Sequence, residues 1–364
     1  MRGGSWIGRE KEELDTPALV VDLDLLERNI REIASICRSG GKAWRPHTKG
    51  FRAIEIARKA IALGAMGVTC ATLADAEAMA AAGIHDILIA SQVVGAAKLH
   101  RLAELCRHAR VVVAVDDPEQ AHALDAEARE QSTRIGVVIE VDIGIHRAGV
   151  DPGTPVTELA ERLTGMRNLD FRGVMGWEGH ACPIADQNAK QAAVAFATAS
   201  LVSSAEECRA HGIPVEIISC GGTGTLPISA RQPGVTEIQA GGGILSDVRY
   251  QAKYGVALAQ ALTMVTTVIS RPRPGRIICD GGKKTMSDYP VAPAPLGIGP
   301  ASSVGLSAEH ITVELSNPSE LPRVGATVEF IVSYVDTSVH LHDRMFAARN
   351  GIIEEVWPLR SSHT

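Results

Sequence analysis

The chain has 364 residues, 45% of them hydrophobic and 21% charged, with a net charge of −6. These values fit a globular protein of one large domain or two smaller ones, and they exclude a partner held mainly by bulk positive charge, such as nucleic acid or an anionic membrane surface. Aromatic residues reach only 4% while glycine occurs 35 times, which suits close loops around a small polar ligand more than an aromatic-rich protein interface.

Residues 1–13 are polar and mixed in charge, without the apolar core of an export signal, and no uncharged apolar run reaches the length of a membrane span. A soluble cytoplasmic protein is expected. The cysteines Cys37, Cys70, Cys106, Cys182, Cys208, Cys220 and Cys279 are scattered without paired spacing, so they read as reduced thiols, with Cys220 beside a glycine run as the one placed for a reactive role. Thr16–Asp22 predicts a strand, and Leu26, Ile30, Ile33 and Cys37 then fall at helical spacing. From Lys42 onward short apolar runs alternate with helical periodicity. The predicted strands are Lys42–Pro46, Met66–Cys70, Asp86–Ala90, Val111–Val115, Gly136–Val141, Phe171–Met175, Val215–Ser219 and Thr236–Gln239. Eight strand–helix steps predict an α/β fold with a (β/α)8, TIM-type barrel, and an open doubly wound sheet is the competing arrangement. After about Tyr254 the helical period fades, and Leu262–Ile269, Arg276–Cys279, His310–Glu314, Thr327–Val335 and Gly351–Trp357 read as antiparallel strands. The expected organisation is a strand in 1–23 joining a β-rich domain, a barrel over 24–253 and the β-rich domain itself over 254–364.

Barrel enzymes carry their chemistry at the C-terminal ends of the strands. Lys49 follows the first strand there, and a lysine in a partly dry, cationic mouth can form a Schiff base with a carbonyl. Ser219–Thr225 follows the seventh strand and Gln239–Gly243 the eighth, the two loops that usually hold phosphate in this fold. Glycine lets backbone N–H groups converge on an anion, and Thr223 and Thr225 add hydroxyls. A lysine and a phosphate cup together suggest pyridoxal phosphate. Arg147, after the fifth strand, can reach a cofactor ring or pair with Asp142 or Glu140. His180, after the sixth, is the histidine best placed as an acid or base.

Taken together these segments resemble the fold-type III pyridoxal-phosphate enzymes of the D-threonine aldolase, D-3-hydroxyaspartate aldolase and D-serine dehydratase family, whose barrel is related to that of alanine racemase. The closest matches are Arg45-Pro46-His47-Thr48-Lys49, Glu140 to Gly149, Gly221 to Thr225, Thr236 to Gly241 and Ser307 to His310. The resemblance implies that Lys49 carries the cofactor, that Gly222, Thr223, Gly224, Thr225, Gln239, Gly241 and Gly242 lie at its phosphate, and that Arg147 and His180 stand near cofactor and substrate. It also implies a homodimer acting on a small D-amino acid, with neither nucleic acid nor membrane as partner. Family members bind a divalent metal (Mn²⁺, Mg²⁺ or Zn²⁺) through a histidine followed two residues later by Asp or Cys. Tyr334 stands in the histidine's place, which leaves Asp336 with His340, or His342, as candidate ligands. Glycines at 241–243 replace bulkier family residues and imply a wider pocket.

The expected reaction is retro-aldol cleavage of a D-3-hydroxy amino acid to glycine and an aldehyde, with Lys49 and His180 catalytic. A dehydratase releasing a keto acid and ammonia is the alternative. Further options are a cofactor-binding protein without turnover, against which the β-rich region argues, and a racemase, which needs a second base that the sequence does not identify.

Overall fold

The computed structural model describes residues 6–359; residues 1–5 and 360–364, the ends of the two expected terminal segments, lie outside the described residues. The chain opens with β1 (Ala18–Asp22), four of whose five residues are buried, and with α1 (Leu23–Ser39). Leu26, Ile30, Ile33 and Cys37 are all buried on α1, as their helical spacing requires.

Eight short strands follow: β2 (Ala43–Trp44), β3 (Val68–Cys70), β4 (Asp86–Gln92), β5 (Arg110–Val115), β6 (Ile135–Glu140), β7 (Leu169–Met175), β8 (Ile217–Cys220) and β9 (Glu237–Ile238). All pair in parallel, in the order β2-β9-β8-β7-β6-β5-β4-β3. The two ends of this path also meet. Met66 donates its N–H to the Trp44 carbonyl at 2.9 Å and Thr69 to that of Pro46 at 3.0 Å, beside a parallel bridge between His47 and Thr69. The ring is thereby closed, which selects the barrel over the open sheet. Leu88, Val112, Ala114, Val138, Met175 and Ile217 pack as one apolar cluster. Helices α2 (Ile54–Ala62), α3 (Leu73–Ala81), α4 (Ala96–Leu105), α5 (Pro118–Glu130), α6 (Thr154–Gly165), α7 (Gln187–Ala210) and the single turn α8 (Leu226–Ser229) fall between the strands. Strands such as β5 and β6 are buried almost throughout, so they read as continuous apolar runs without alternation.

After α9 (Val248–Tyr254) come β10 (Leu262–Arg273), β11 (Arg276–Asp280), β12 (Ala294–Leu296), β13 (Ala301–Leu306), β14 (His310–Leu315) and β15 (Thr327–Ile331). The turn α10 (Val335–Ser338), β16 (Arg344–Arg349) and β17 (Ile352–Pro358) complete the described chain. These strands and β1 form one nine-stranded sheet with the path β13-β14-β11-β10-β1-β16-β17, in which β15 pairs with β10 and β12 with β15. β1 lies in its middle, antiparallel to β10 and parallel to β16, so the N-terminal strand is built into the β-rich sheet. Leu14, Ala18, Val20, Val265, Phe346, Ala348 and Ile353 form a core cluster there.

Contacts divide the chain into two compact units. Of the described residues, one unit comprises those up to Ile30, Gly50–Glu55 and those from Gly242 onward; the other comprises Arg31–Lys49 and Ile56–Gly241. Among the described residues no helix is long and apolar enough to cross a membrane. All seven cysteines are free, and only Cys106 is not fully buried.

Candidate active site

In the barrel unit, the segment after β2 is anchored from below. Arg45 is buried and ion-paired with Asp86 and Glu237, while Trp44 donates its indole N–H to the Ala240 carbonyl at 2.8 Å. These contacts tie β2 to β4 and β9 and fix the start of the short turn Thr48–Gly50 that carries Lys49. A Cβ on Gly241 would fall within 2.5 Å of the His47 backbone nitrogen, so only glycine lets the loop after β9 lie against this segment.

Lys49 Nζ stands 5.3 Å from the centroid of the Trp177 ring, and the Arg147 guanidinium stands 5.5 Å from the same ring. The loops after β2, β6 and β7 thus bring together both cations expected from the sequence, on an aromatic platform that sequence reasoning did not assign. Arg147 also reaches Glu140 at 3.6 Å, and Glu140 accepts a 2.6 Å hydrogen bond from the Gln92 amide. The expected ion pair of Arg147 is therefore present, with Glu140 and not Asp142 as its partner. Burial pushes the Glu140 carboxyl up, against the pull of Gln92 and Arg147. His47 is a second unassigned member: removal from water, then the Lys49 and Arg147 cations, hold its imidazole well below the usual histidine range. His180 is exposed, and a Cβ on Gly144 would stand only 2.7 Å from its Cε1. The glycine of the β6 loop is what makes room for that ring.

The loop after β8 begins with Gly221 at φ +80°, a left-handed conformation that favours glycine. A Cβ on Gly222 would meet the Trp177 indole nitrogen at 2.9 Å, so Gly222 lets the platform press against the glycine loop. The Thr225 hydroxyl donates to Glu178 Oε1 at 2.7 Å and the Gly221 N–H donates to Glu178 Oε2 at 3.2 Å. Gln239 donates its amide to the Ser219 hydroxyl at 2.9 Å, joining the ends of β8 and β9. Burial pushes the Cys220 thiol well up, which makes it an inert core thiol. The sequence does not single out Glu178, because a buried carboxylate and a solvated one look alike there.

In the β-rich unit, a Cβ on Gly242 would strike the Tyr250 hydroxyl, and one on Gly50 would stand 2.7 Å from Gly242 Cα and 3.3 Å from Asp336 Oδ1. Tyr334 donates its phenol to Asp336 Oδ2 at 2.9 Å, and the Arg249 guanidinium lies 4.3 Å from the Tyr334 ring centroid. Burial, then the Asp336 charge, raises the Tyr334 phenol, which keeps it a neutral donor. The His340 Nδ1 accepts from the Arg52 guanidinium at 3.1 Å, and His342 Nε2 donates to the Thr285 carbonyl at 2.7 Å. Each expected metal ligand is thus engaged by a neighbouring group, one of them a cation. Among the described residues no three His, Cys, Asp or Glu side chains converge in metal-ligating geometry. This donor set, with a phenol for a ligand and a guanidinium at the histidine, does not fit a divalent ion.

Residues 21–246 match the family model described as alanine racemase, N-terminal domain, and residues 261–348 match the one described as putative serine dehydratase domain. The chain is 32% identical to a D-threonine aldolase from Arthrobacter over 95% of its own length and 92% of the relative's. It is 31% identical to a 3-hydroxy-D-aspartate aldolase from Paracoccus denitrificans, covering 97% and 93% of the two chains. The crystal structure of D-threonine aldolase from Filomicrobium marinum superposes with a TM-score of 0.92 at 31% identity, covering 97% of each chain.

Proposed function

The chain belongs to the alanine racemase N-terminal domain family, and from that premise we propose that it is a pyridoxal-phosphate-dependent lyase cleaving D-3-hydroxy amino acids to glycine and an aldehyde. The observation that carries this reading is the stacking of Lys49 and Arg147 on Trp177, whose indole nitrogen edges the glycine loop after β8. The cofactor fits these residues. An amine and a guanidinium stand on one aromatic ring, and Gly222 and Gly241 stand where a Cβ would collide with its neighbours. Lys49 would hold the cofactor's aldehyde carbon, Arg147 its ring, and Gly222, Thr223, Gly224, Gln239 and Gly241 its phosphate.

When bound, the cofactor supplies a sink for the electron pair left on the substrate Cα. The protein's own work is to orient and to move protons. Glu140 and Trp177 fix the Arg147 cation, and the neutral His47 adds no third positive charge beside Lys49 and Arg147. His180 takes the proton from the β-hydroxyl oxygen; as the C=O bond forms there, the Cα–Cβ bond breaks and the aldehyde leaves. Exposure lets His180 pass that proton to water, and a proton drawn from solvent then adds at Cα to complete glycine, so the cleavage neither gains nor loses a proton overall. No step is routed through a divalent metal, because the Tyr334, Asp336 and His340 donor set does not fit one.

Incubating the protein with pyridoxal phosphate and D-threonine should release glycine and an aldehyde in equal amounts. Lys49→Ala should abolish both that activity and the visible absorption band of the bound cofactor. Release of a keto acid and ammonia instead would select the dehydratase alternative, which the match to the putative serine dehydratase domain favours. A band that survives Lys49→Ala would sink the central assignment. The homodimer and the cytoplasmic location belong to the same proposal; free, buried cysteines support a reducing compartment, and light scattering reads the mass in solution.

A further inference from the structure

Glu178 is the most deeply enclosed carboxylate near the candidate site. It lies between Trp177 and the turn Gly179–Ala181, and it has no exposed surface. A buried carboxylate persists only when donors converge on it, and here they all come from the glycine loop and the turn behind it. Oε2 accepts the Gly221 N–H at 3.2 Å; Oε1 accepts the Thr225 hydroxyl at 2.7 Å and also the Ser229 hydroxyl. The same Thr225 oxygen accepts the Gly222 N–H at 3.3 Å. One side chain thus fixes four residues of the segment 221–229. It also spends two groups, the Gly221 amide and the Thr225 hydroxyl, that the sequence would assign to an anion.

We propose that Glu178 is the positioning residue of the phosphate loop, setting affinity for the phosphate group of the cofactor and not for its ring. This rests on the cofactor reading above. Two effects of the carboxylate oppose each other. Its charge lies close behind a loop meant for an anion, which weakens binding, whereas its hydrogen bonds hold the loop in one shape before the anion arrives, which strengthens binding. Organisation wins, because three donors already compensate the charge, while its removal leaves buried donors orphaned and the loop free to rearrange.

The test compares two ligands that differ only in the phosphate. The full-length protein, freed of cofactor with hydroxylamine, is titrated with pyridoxal phosphate and with pyridoxal, following the visible band. Glu178→Gln keeps the shape and one acceptor oxygen, and should weaken pyridoxal phosphate about 10-fold; Glu178→Ala should weaken it about 100-fold. Pyridoxal affinity should stay within about twofold in both, and kcat at saturating cofactor should hold within about threefold. Equal losses for both ligands would reduce Glu178 to a general packing role and overturn the proposal, as would an unchanged affinity for pyridoxal phosphate. Tighter binding by Glu178→Gln would overturn it too, showing that repulsion dominates. Should Glu178→Ala fail to fold, the Gln variant decides alone. A wild-type protein that develops no band with either ligand defeats the cofactor reading and this inference together, whereas a normal wild type with no phosphate-selective loss defeats the inference only.

Discussion

Lys49 and Arg147 share one indole, at 5.3 and 5.5 Å from its centroid, and the far edge of that indole rests on Gly222. An arrangement of two like charges on one ring is held from several sides: Glu140 draws Arg147, and each cation gains about 0.5–2 kcal/mol from the aromatic face. Gly222→Ala puts a methyl group 2.9 Å from the indole nitrogen, so the ring must swing away and take the platform with it. The variant should bind pyridoxal phosphate at least about 10-fold more weakly and shift the tryptophan emission. Gly165→Ala, with open space around its Cβ, should change neither, and an unaltered Gly222→Ala would show that Trp177 is no platform. Lys49, Arg147 and the glycine loop are legible from their places after predicted strands. Trp177, His47 and Glu178 are not, because their roles come from what the fold sets beside them: the Lys49 and Arg147 cations for Trp177 and His47, and the three donors Gly221, Thr225 and Ser229 for Glu178.

At the level of elements, all eight barrel strands stand within a few residues of their predicted places. β2 is shortened the most, to Ala43–Trp44 against an expected Lys42–Pro46, since Arg45 onward turns into the anchored segment before Lys49. The β-rich half is less legible in the sequence. β16, with the sequence Arg-Met-Phe-Ala-Ala-Arg, carries no β-branched residue and becomes a strand through parallel pairing with β1, a contact across more than 300 residues that no local window contains. The predicted strand Thr327–Val335 ends at Ile331, because Asp247 caps two segments at once: it accepts the Tyr250 N–H at 2.7 Å at the start of α9 and the Val335 N–H at 2.8 Å at the start of α10. Burial pushes the Asp247 carboxyl up to about 7. The folded chain therefore holds this proton more tightly than the unfolded chain. As pH rises from about 4 to about 7 the unfolded state releases it first, and the group's contribution to stability falls by up to about 4 kcal/mol. Asp247→Asn removes the titration and should flatten this part of the pH profile in urea unfolding. Parallel profiles for wild type and variant between pH 4 and 8 would refute the assignment.

Across the whole molecule, some of the glycines serve close approaches: Gly222 to Trp177, Gly241 to His47, Gly144 to His180, and Gly242 to Tyr250. A ligand that binds only the folded state raises its stability by mass action, about 2.7 kcal/mol at 100 times its Kd, which for a chain of this size is several degrees in Tm. Pyridoxal phosphate should give that rise in the wild type and a much smaller one in Lys49→Ala, where the covalent hold is gone. Mn²⁺ should give none. Tyr334 offers a neutral phenol already bonded to Asp336, His340 faces the Arg52 cation, and His342 is committed to the Thr285 carbonyl. Replacing the phenol with an imidazole supplies a neutral nitrogen two residues before Asp336, so Tyr334→His should acquire a Mn²⁺-dependent rise in Tm that EDTA reverses. If instead Mn²⁺ stabilises the wild type and EDTA undoes it, the hydrogen-bonded set around Asp336 yields to a metal, and the assignment of these residues as a metal-free network fails.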